Sequence, residues 1–150
     1  MADIAYRSGI SRGRVRLGLI VLLLGFLLFV LGAGPGVFGI DRSEVTGFLQ
    51  ISVFLVGLAV LCMGGYITLS ALWNGNEKTI VADIGLRLVS TGYVVAVASG
   101  MADVFGIGSH PFPAIPYFGP LQATGVMIGE GIIIIGFLMF IHFPKAKKKE

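Results

Sequence analysis

Four apolar segments, each long enough to cross a lipid bilayer, take up most of this chain of 150 residues. They are residues 17–36, 48–73, 80–103 and 121–143. A transmembrane helix needs about 20 mainly apolar residues, and only helices or closed barrels satisfy the backbone inside a bilayer. Only 13% of residues are charged and the mean hydropathy is +0.92, whereas roughly a quarter are charged in a soluble domain. The sequence therefore predicts one all-α integral membrane domain over residues 1–150, with four transmembrane helices.

Basic residues are concentrated near the two ends of the chain. They are Arg7, Arg12, Arg14 and Arg16 at one end, and Lys145, Lys147, Lys148 and Lys149 at the other. The link between the first two apolar segments is net negative, with Asp41, Arg42 and Glu44, and residues 105–120 carry no formal charge. Because Lys and Arg in short flanking segments stay on the cytoplasmic side, we expect both termini in the cytoplasm. There the basic termini would touch anionic lipid, not nucleic acid.

The sequence resembles a two-helix unit repeated in tandem. Residues 17–40 align without a gap to residues 84–107, and both stretches end in Val-Phe-Gly-Ile. A second match follows in the same order, with residues 47–50 recurring in part at residues 119–122. Such repeats often organise membrane proteins. We predict two tandem helical hairpins, about residues 17–73 and 80–143, related by a pseudo-two-fold axis along the membrane normal. The first segment, paired with an internal one, is then a retained helix and not a signal peptide.

Small residues recur every seven positions, which is the spacing of a helix seam in a left-handed bundle. They are Gly18, Gly25, Gly32 and Gly39; Gly57, Gly64 and Ala71; Gly85, Gly92, Ser99 and Gly106; and Gly129 and Gly136. The motif Gly125-x-x-x-Gly129 and the series Gly92, Ala96 and Gly100 add further small-residue contacts. Small side chains let membrane helices approach closely. We therefore assign these glycines to helix packing and not to a nucleotide-binding loop, which would follow a strand.

Only the second copy of the repeat carries charge inside its apolar segments. Asp83 and Arg87 lie four residues apart on one helix face, and Glu130 lies in the last segment. From the helix rise, Arg87 is about 10 Å deep and Glu130 is about 14 Å from the outer side of a core roughly 30 Å thick. We predict that Arg87 and Glu130 pair. The pair either fixes helix register or lies beside a solute or proton path, in which the excess carboxylate would carry a proton.

Two residues near the predicted outer face, Asp103 and His110, are weaker candidates. We expect Asp103 to be solvated at the interface, and His110 lies in the proline-rich loop 105–120. That loop should cap the outer membrane surface, with a lid over a cavity between the repeats as the alternative. A zinc site needs at least three protein ligands, and no nucleophile stands beside a base. We therefore expect no metal, no cofactor and no enzymatic activity, and a packing role for the lone Cys62.

Two functions of different classes remain. The first is a small multi-pass membrane subunit that packs with itself, as a homo-oligomer, or with a larger membrane complex. Short links, packing glycines and the lack of catalytic groups favour it. The second is a minimal transporter or channel for a proton or small solute that uses Glu130 and Arg87. An enzyme acting on lipid or quinone is a weaker third possibility, since its candidate catalytic residues would be Asp103 and His110 alone.

Overall fold

Four α-helices make up the fold. The computed structural model describes residues 11–34, 39, 47–108 and 118–141. The helices are α1 (Arg12–Ala33), α2 (Phe48–Leu72), α3 (Ile80–Gly100) and α4 (Pro120–Phe140), and the described residues contain no strand. All four are long and apolar enough to cross a membrane. The predicted all-α class and the four apolar segments are confirmed, and an integral membrane protein is indicated.

The helix boundaries follow from local chemistry. The side chain of Thr79 caps α3 by accepting a hydrogen bond from the backbone N–H of Ala82 at 3.2 Å. Pro120 opens α4, where a missing N–H costs nothing, and the Gly119 N–H donates to Oε1 of Gln122 at 3.0 Å. α1 begins at Arg12, ahead of the predicted apolar segment, because arginine is itself a good helix former.

Glycines hold α1 and α2 together as a tight antiparallel hairpin. A Cβ atom added to Gly25 would overlap the backbone of Leu61, and one added to Gly57 would overlap the backbone of Phe29. Each glycine on one helix therefore lies opposite a larger residue on the other. The facing pairs are Gly18–Thr68, Leu22–Gly64, Gly25–Leu61, Phe29–Gly57 and Gly32–Phe54. Successive contacts alternate between steps of four and three residues, as in a left-handed seam.

The α3–α4 hairpin is built in the same way. A Cβ atom on Gly129 would lie 2.7 Å from the backbone N of Ala96, and one on Gly136 would lie 2.8 Å from that of Val89. A Cβ atom on Gly92 would lie 2.9 Å from the backbone N of Ile133. The packing role predicted for the seven-spaced glycines is confirmed at these seams.

Gly39 and Gly106 do not belong to the seams, so the prediction is wrong for this pair. Both have a positive φ, +65° and +75°, and a Cβ atom on either would meet nothing within 4 Å. Both are exposed and lie in turns. Glycine occupies a left-handed backbone conformation without the strain that a Cβ atom brings, which explains the residue type at both positions.

Among the described residues, the second hairpin packs mainly on α2. Ile51, Leu55 and Leu58 of α2 form a buried cluster with residues of α3 and α4, namely Val89, Ala96 and Ile133. The Tyr93 hydroxyl donates to the Leu55 carbonyl at 3.4 Å. In the described residues the α1 backbone lies close to that of α2 but not to that of α3 or α4. The α2–α3 contact therefore has no α1–α4 counterpart among the described residues.

An aromatic cluster joins the two hairpins where α2 and α4 end. The Trp73 Nε1–H donates to the Phe140 carbonyl at 3.0 Å, and the two rings stack with centroids 6.4 Å apart. The Tyr66 ring also stacks on the Phe140 ring, with their centroids 6.1 Å apart. The Lys78 Nζ atom lies 5.3 Å from the centroids of both the Tyr66 and the Phe140 rings. We call this end of the bundle the Trp73 end, and the opposite one the Phe118 end.

Replacing Trp73 by Phe should lower stability, because it removes the donor for a buried helix-end carbonyl and leaves a small void. A lost partner of a buried group costs about 1–3 kcal/mol. The measurement is thermal unfolding in mild detergent, followed by circular dichroism. Tyr66→Phe is the matched control, since it keeps its ring stack. Equal effects of the two changes would show that the Trp73–Phe140 hydrogen bond contributes nothing.

Candidate functional site

A polar stripe runs along the exposed face of α3. It consists of Asp83, Arg87, Ser90 and Thr91, all exposed. The Arg87 Nη2 atom lies 2.9 Å from Oδ2 of Asp83, and Nε donates to the same oxygen at 3.0 Å. The two side chains are 79% and 52% exposed, so no residue in the described part of the chain covers them. The four-residue spacing places both on one helix face.

The hydroxyl groups of the stripe are satisfied by their own helix. Ser90 Oγ donates to the Leu86 carbonyl at 3.4 Å, and Thr91 Oγ1 donates to the Arg87 carbonyl at 2.9 Å. The stripe lies on the opposite side of α3 from the glycine seam, since Arg87 is two residues past Gly85 and a helix turns about 100° per residue. In a membrane the stripe would face lipid.

Arg87 and Glu130 do not pair, which corrects the prediction. Among the described residues the ion pair is Arg87–Asp83, and none involves Glu130. Glu130 follows the seam residue Gly129 and faces the first hairpin, while Arg87 points away from α4. Val89 faces Gly136 and Ala96 faces Gly129 across the α3–α4 seam, so Arg87 and Glu130 lie about eight residues, or about 12 Å, apart in height. They also differ in direction around their helix axes. The position of Arg87 two residues past the seam Gly85 was the signal in the sequence that could have excluded the pair.

Glu130 lies instead in a cleft between the two hairpins. The cleft has a volume of about 220 Å³ and lies at the Phe118 end of the bundle. Its lining comes from α1, α2, α4 and the residues before α4, and consists of Gly32, Ala33, Gln50, Ile51, Phe54, Phe118, Ala123, Val126, Met127 and Glu130. Because the α1 backbone lies close to that of α2 but not to that of α4, space is left between α1 and α4. Sequence reasoning missed Gln50, Phe54 and Phe118 as site residues, since no periodicity brings these three together.

Asp103 is buried, with 3% of its surface exposed, so the expectation that it is solvated is wrong. The turn after α3 folds back over it. The N–H groups of Ile107 and Gly108 both donate to the Ala102 carbonyl at 3.0 Å, and the Asp103 carboxylate lies where a side chain on Gly108 would be. Asp103 therefore belongs to a structural turn.

Of the remaining candidates from the sequence, some lie outside the described residues and Cys62 lies within them. His110, most of loop 105–120 and the basic residues at 145–149 lie outside the described residues. Within the described part of the chain no three His, Cys, Asp or Glu side chains are grouped to hold a metal ion. Cys62 is a free thiol packed against the apolar cluster between the hairpins, as predicted.

Comparison with protein-family models, curated proteins and solved structures finds no significant match.

Proposed function

We propose that this protein is a small multi-pass membrane subunit that assembles with a second copy of itself in the plane of the bilayer. The observation that carries the proposal is the α3 polar stripe, an ion pair and two hydroxyl side chains on a face that none of the described residues covers. Charged side chains in membrane helices almost always face protein or a wet cavity, because lipid exposure is costly. A second chain would remove the stripe from lipid.

The stripe is complementary to itself in charge, which favours a second copy over an unlike partner. Asp83 and Arg87 have opposite charges and lie one helical turn apart. Two copies related by a two-fold axis along the membrane normal would place their α3 helices in parallel. Arg87 of one copy would then be about 6 Å in height from Asp83 of the other, within reach of the long arginine side chain. Symmetric dimers of this kind are the commonest homo-oligomers.

Disulfide crosslinking in native membranes tests this interface. With Cys62 replaced by Ala, Thr91→Cys and Val94→Cys should each give a covalent dimer of twice 15.8 kDa, because both positions share the Arg87 face. Ile20→Cys is the matched control, on the exposed face of α1 at the position aligned with Arg87. Crosslinking at Ile20 as efficient as at the stripe would contradict the proposal, and so would a lack of product at both stripe positions. A product with a different protein instead would assign the stripe to a larger complex.

The tandem repeat is part of this proposal, and the hairpin contacts support it. The two alignments map Gly25 and Leu61 onto Gly92 and Ile133, and each pair meets across its own seam. They also map Phe29–Gly57 onto Ala96–Gly129 and Leu22–Gly64 onto Val89–Gly136, which meet as well. Two hairpins with matching registers are expected from duplication of one hairpin. The stripe then arose in the second copy only.

We further propose that both termini face the cytoplasm. With Cys62 replaced by Ala, cysteines at Ser43 and Ser109 should react with an impermeant maleimide added outside intact cells. A cysteine at Gly13, exposed on the first turn of α1, should react only after the membrane is permeabilised. Labelling of one outer position but not the other would overturn the four-span topology.

Transport of a proton or small solute is the second candidate function. The cleft at Glu130 favours it, because it places a carboxylate in a cavity between helices. Arg87 has no part in this version, since it is paired with Asp83 on the other side of α3.

A further inference from the structure

The Glu130 cleft combines one carboxylate with an otherwise mainly apolar lining. Glu130 is partly buried and forms no ion pair within the described part of the chain. Among the described residues of the lining, the one other side chain that is not apolar is the amide of Gln50. A ligand for this cleft must therefore supply one positive charge and little else that is polar, since a buried carboxylate is stabilised by an opposite charge.

Two aromatic rings give the cleft a second means of binding a cation. Phe54 and Phe118 both line it, and Phe118 also packs against the apolar cluster between the hairpins. Aromatic faces attract organic cations within about 6 Å of the ring centroid, and quaternary ammonium groups are often bound in this way. A strongly hydrated metal ion would gain nothing from the phenylalanines and would find too few oxygen ligands, because Mg²⁺ and Ca²⁺ need about six.

We propose that the Glu130 cleft binds a small organic cation, a quaternary ammonium ion with an apolar body. Its charge would lie against Glu130, and its apolar groups would contact Phe54 and Phe118. The volume of about 220 Å³ is below the 300–1,000 Å³ of clefts for drug-sized ligands, which limits the ligand to about the size of benzyltrimethylammonium. The site lies between the hairpins of one chain and does not depend on assembly through α3.

Binding of benzyltrimethylammonium to the full-length protein tests the proposal. Isothermal titration in mild detergent, at constant ionic strength set with sodium chloride, should show saturable binding at one site per chain. Glu130→Gln, which keeps the side-chain size, should weaken binding at least tenfold. Glu77→Gln is the matched control, because it removes an exposed acid in the link at the Trp73 end, and it should leave binding unchanged.

A second variant keeps the test decisive if Glu130→Gln misfolds. Phe118→Leu keeps an apolar lining but removes one aromatic face, and it should weaken binding severalfold with the helices intact by circular dichroism. The proposal is overturned if the wild type shows no saturable binding. It is equally overturned if Glu130→Gln and Glu77→Gln bind alike, or if sodium chloride alone displaces the probe completely.

Discussion

Gly25→Ala should destabilise the protein strongly, although it adds a single methyl group. A Cβ atom at Gly25 would overlap the backbone of Leu61, which has no flexible end that could move aside. The two helices must separate, and the contacts along the whole α1–α2 seam weaken. Overpacking of this kind costs about 1–3 kcal/mol, and more where the backbone is the obstacle.

The matched control is Gly131→Ala on α4, where an added Cβ atom meets nothing within 4 Å. Alanine is favoured over glycine in a helix by about 1 kcal/mol, so this change should be neutral or stabilising. Thermal unfolding in mild detergent measures both. A Gly25→Ala protein as stable as the Gly131→Ala protein would show that the helices do not meet as closely as the structure has them.

The second large effect is expected at the ion pair of the α3 polar stripe. Arg87→Leu leaves the Asp83 carboxylate without its partner on a face that, in the proposed membrane subunit, lies in the bilayer. Asp83→Leu does the same to Arg87. The double change Asp83→Leu with Arg87→Leu removes both charges and should recover much of the loss, because stranding one charge costs more than removing a pair. The free energies of unfolding of the three variants form a double-mutant cycle.

Glu130→Gln provides the comparison for this cycle. Glu130 and Arg87 are not paired in the structure, so their separate effects should add when the two changes are combined, as is usual for sites without shared partners. A coupling between Arg87 and Glu130 as large as that between Arg87 and Asp83 would support the Arg87–Glu130 pair predicted from the sequence. It would contradict the assignment of Asp83 as the partner of Arg87.

The sequence was sufficient for the helices and for most of their seams. Apolar length predicted the four helices, and the seven-residue spacing predicted that Gly25, Gly64, Gly92 and Gly129 lie between helices, because both depend on local periodicity. It failed for Gly39, which continues the spacing but lies in a turn with positive φ. Spacing alone does not show where a helix ends.

The candidate site was harder to predict, since it depends on how the hairpins are placed. Helix rise within one segment shows neither the register between α3 and α4 nor the side of the helix on which Arg87 and Glu130 lie. The cleft needs α1 to be separate from α4, and no pattern within a single segment carries that information. Asp103 was misjudged for a similar reason, because the turn that buries it is formed by the residues after it.

The mass of the purified protein in mild detergent tests the central claim most directly. Native mass spectrometry should give a dimer for the wild type, twice the 15.8 kDa chain. The variant with both Asp83→Leu and Arg87→Leu should be a helical monomer, since its α3 face is then compatible with lipid. A monomeric wild type, or a dimer that persists in the double variant, would contradict assembly through the α3 polar stripe.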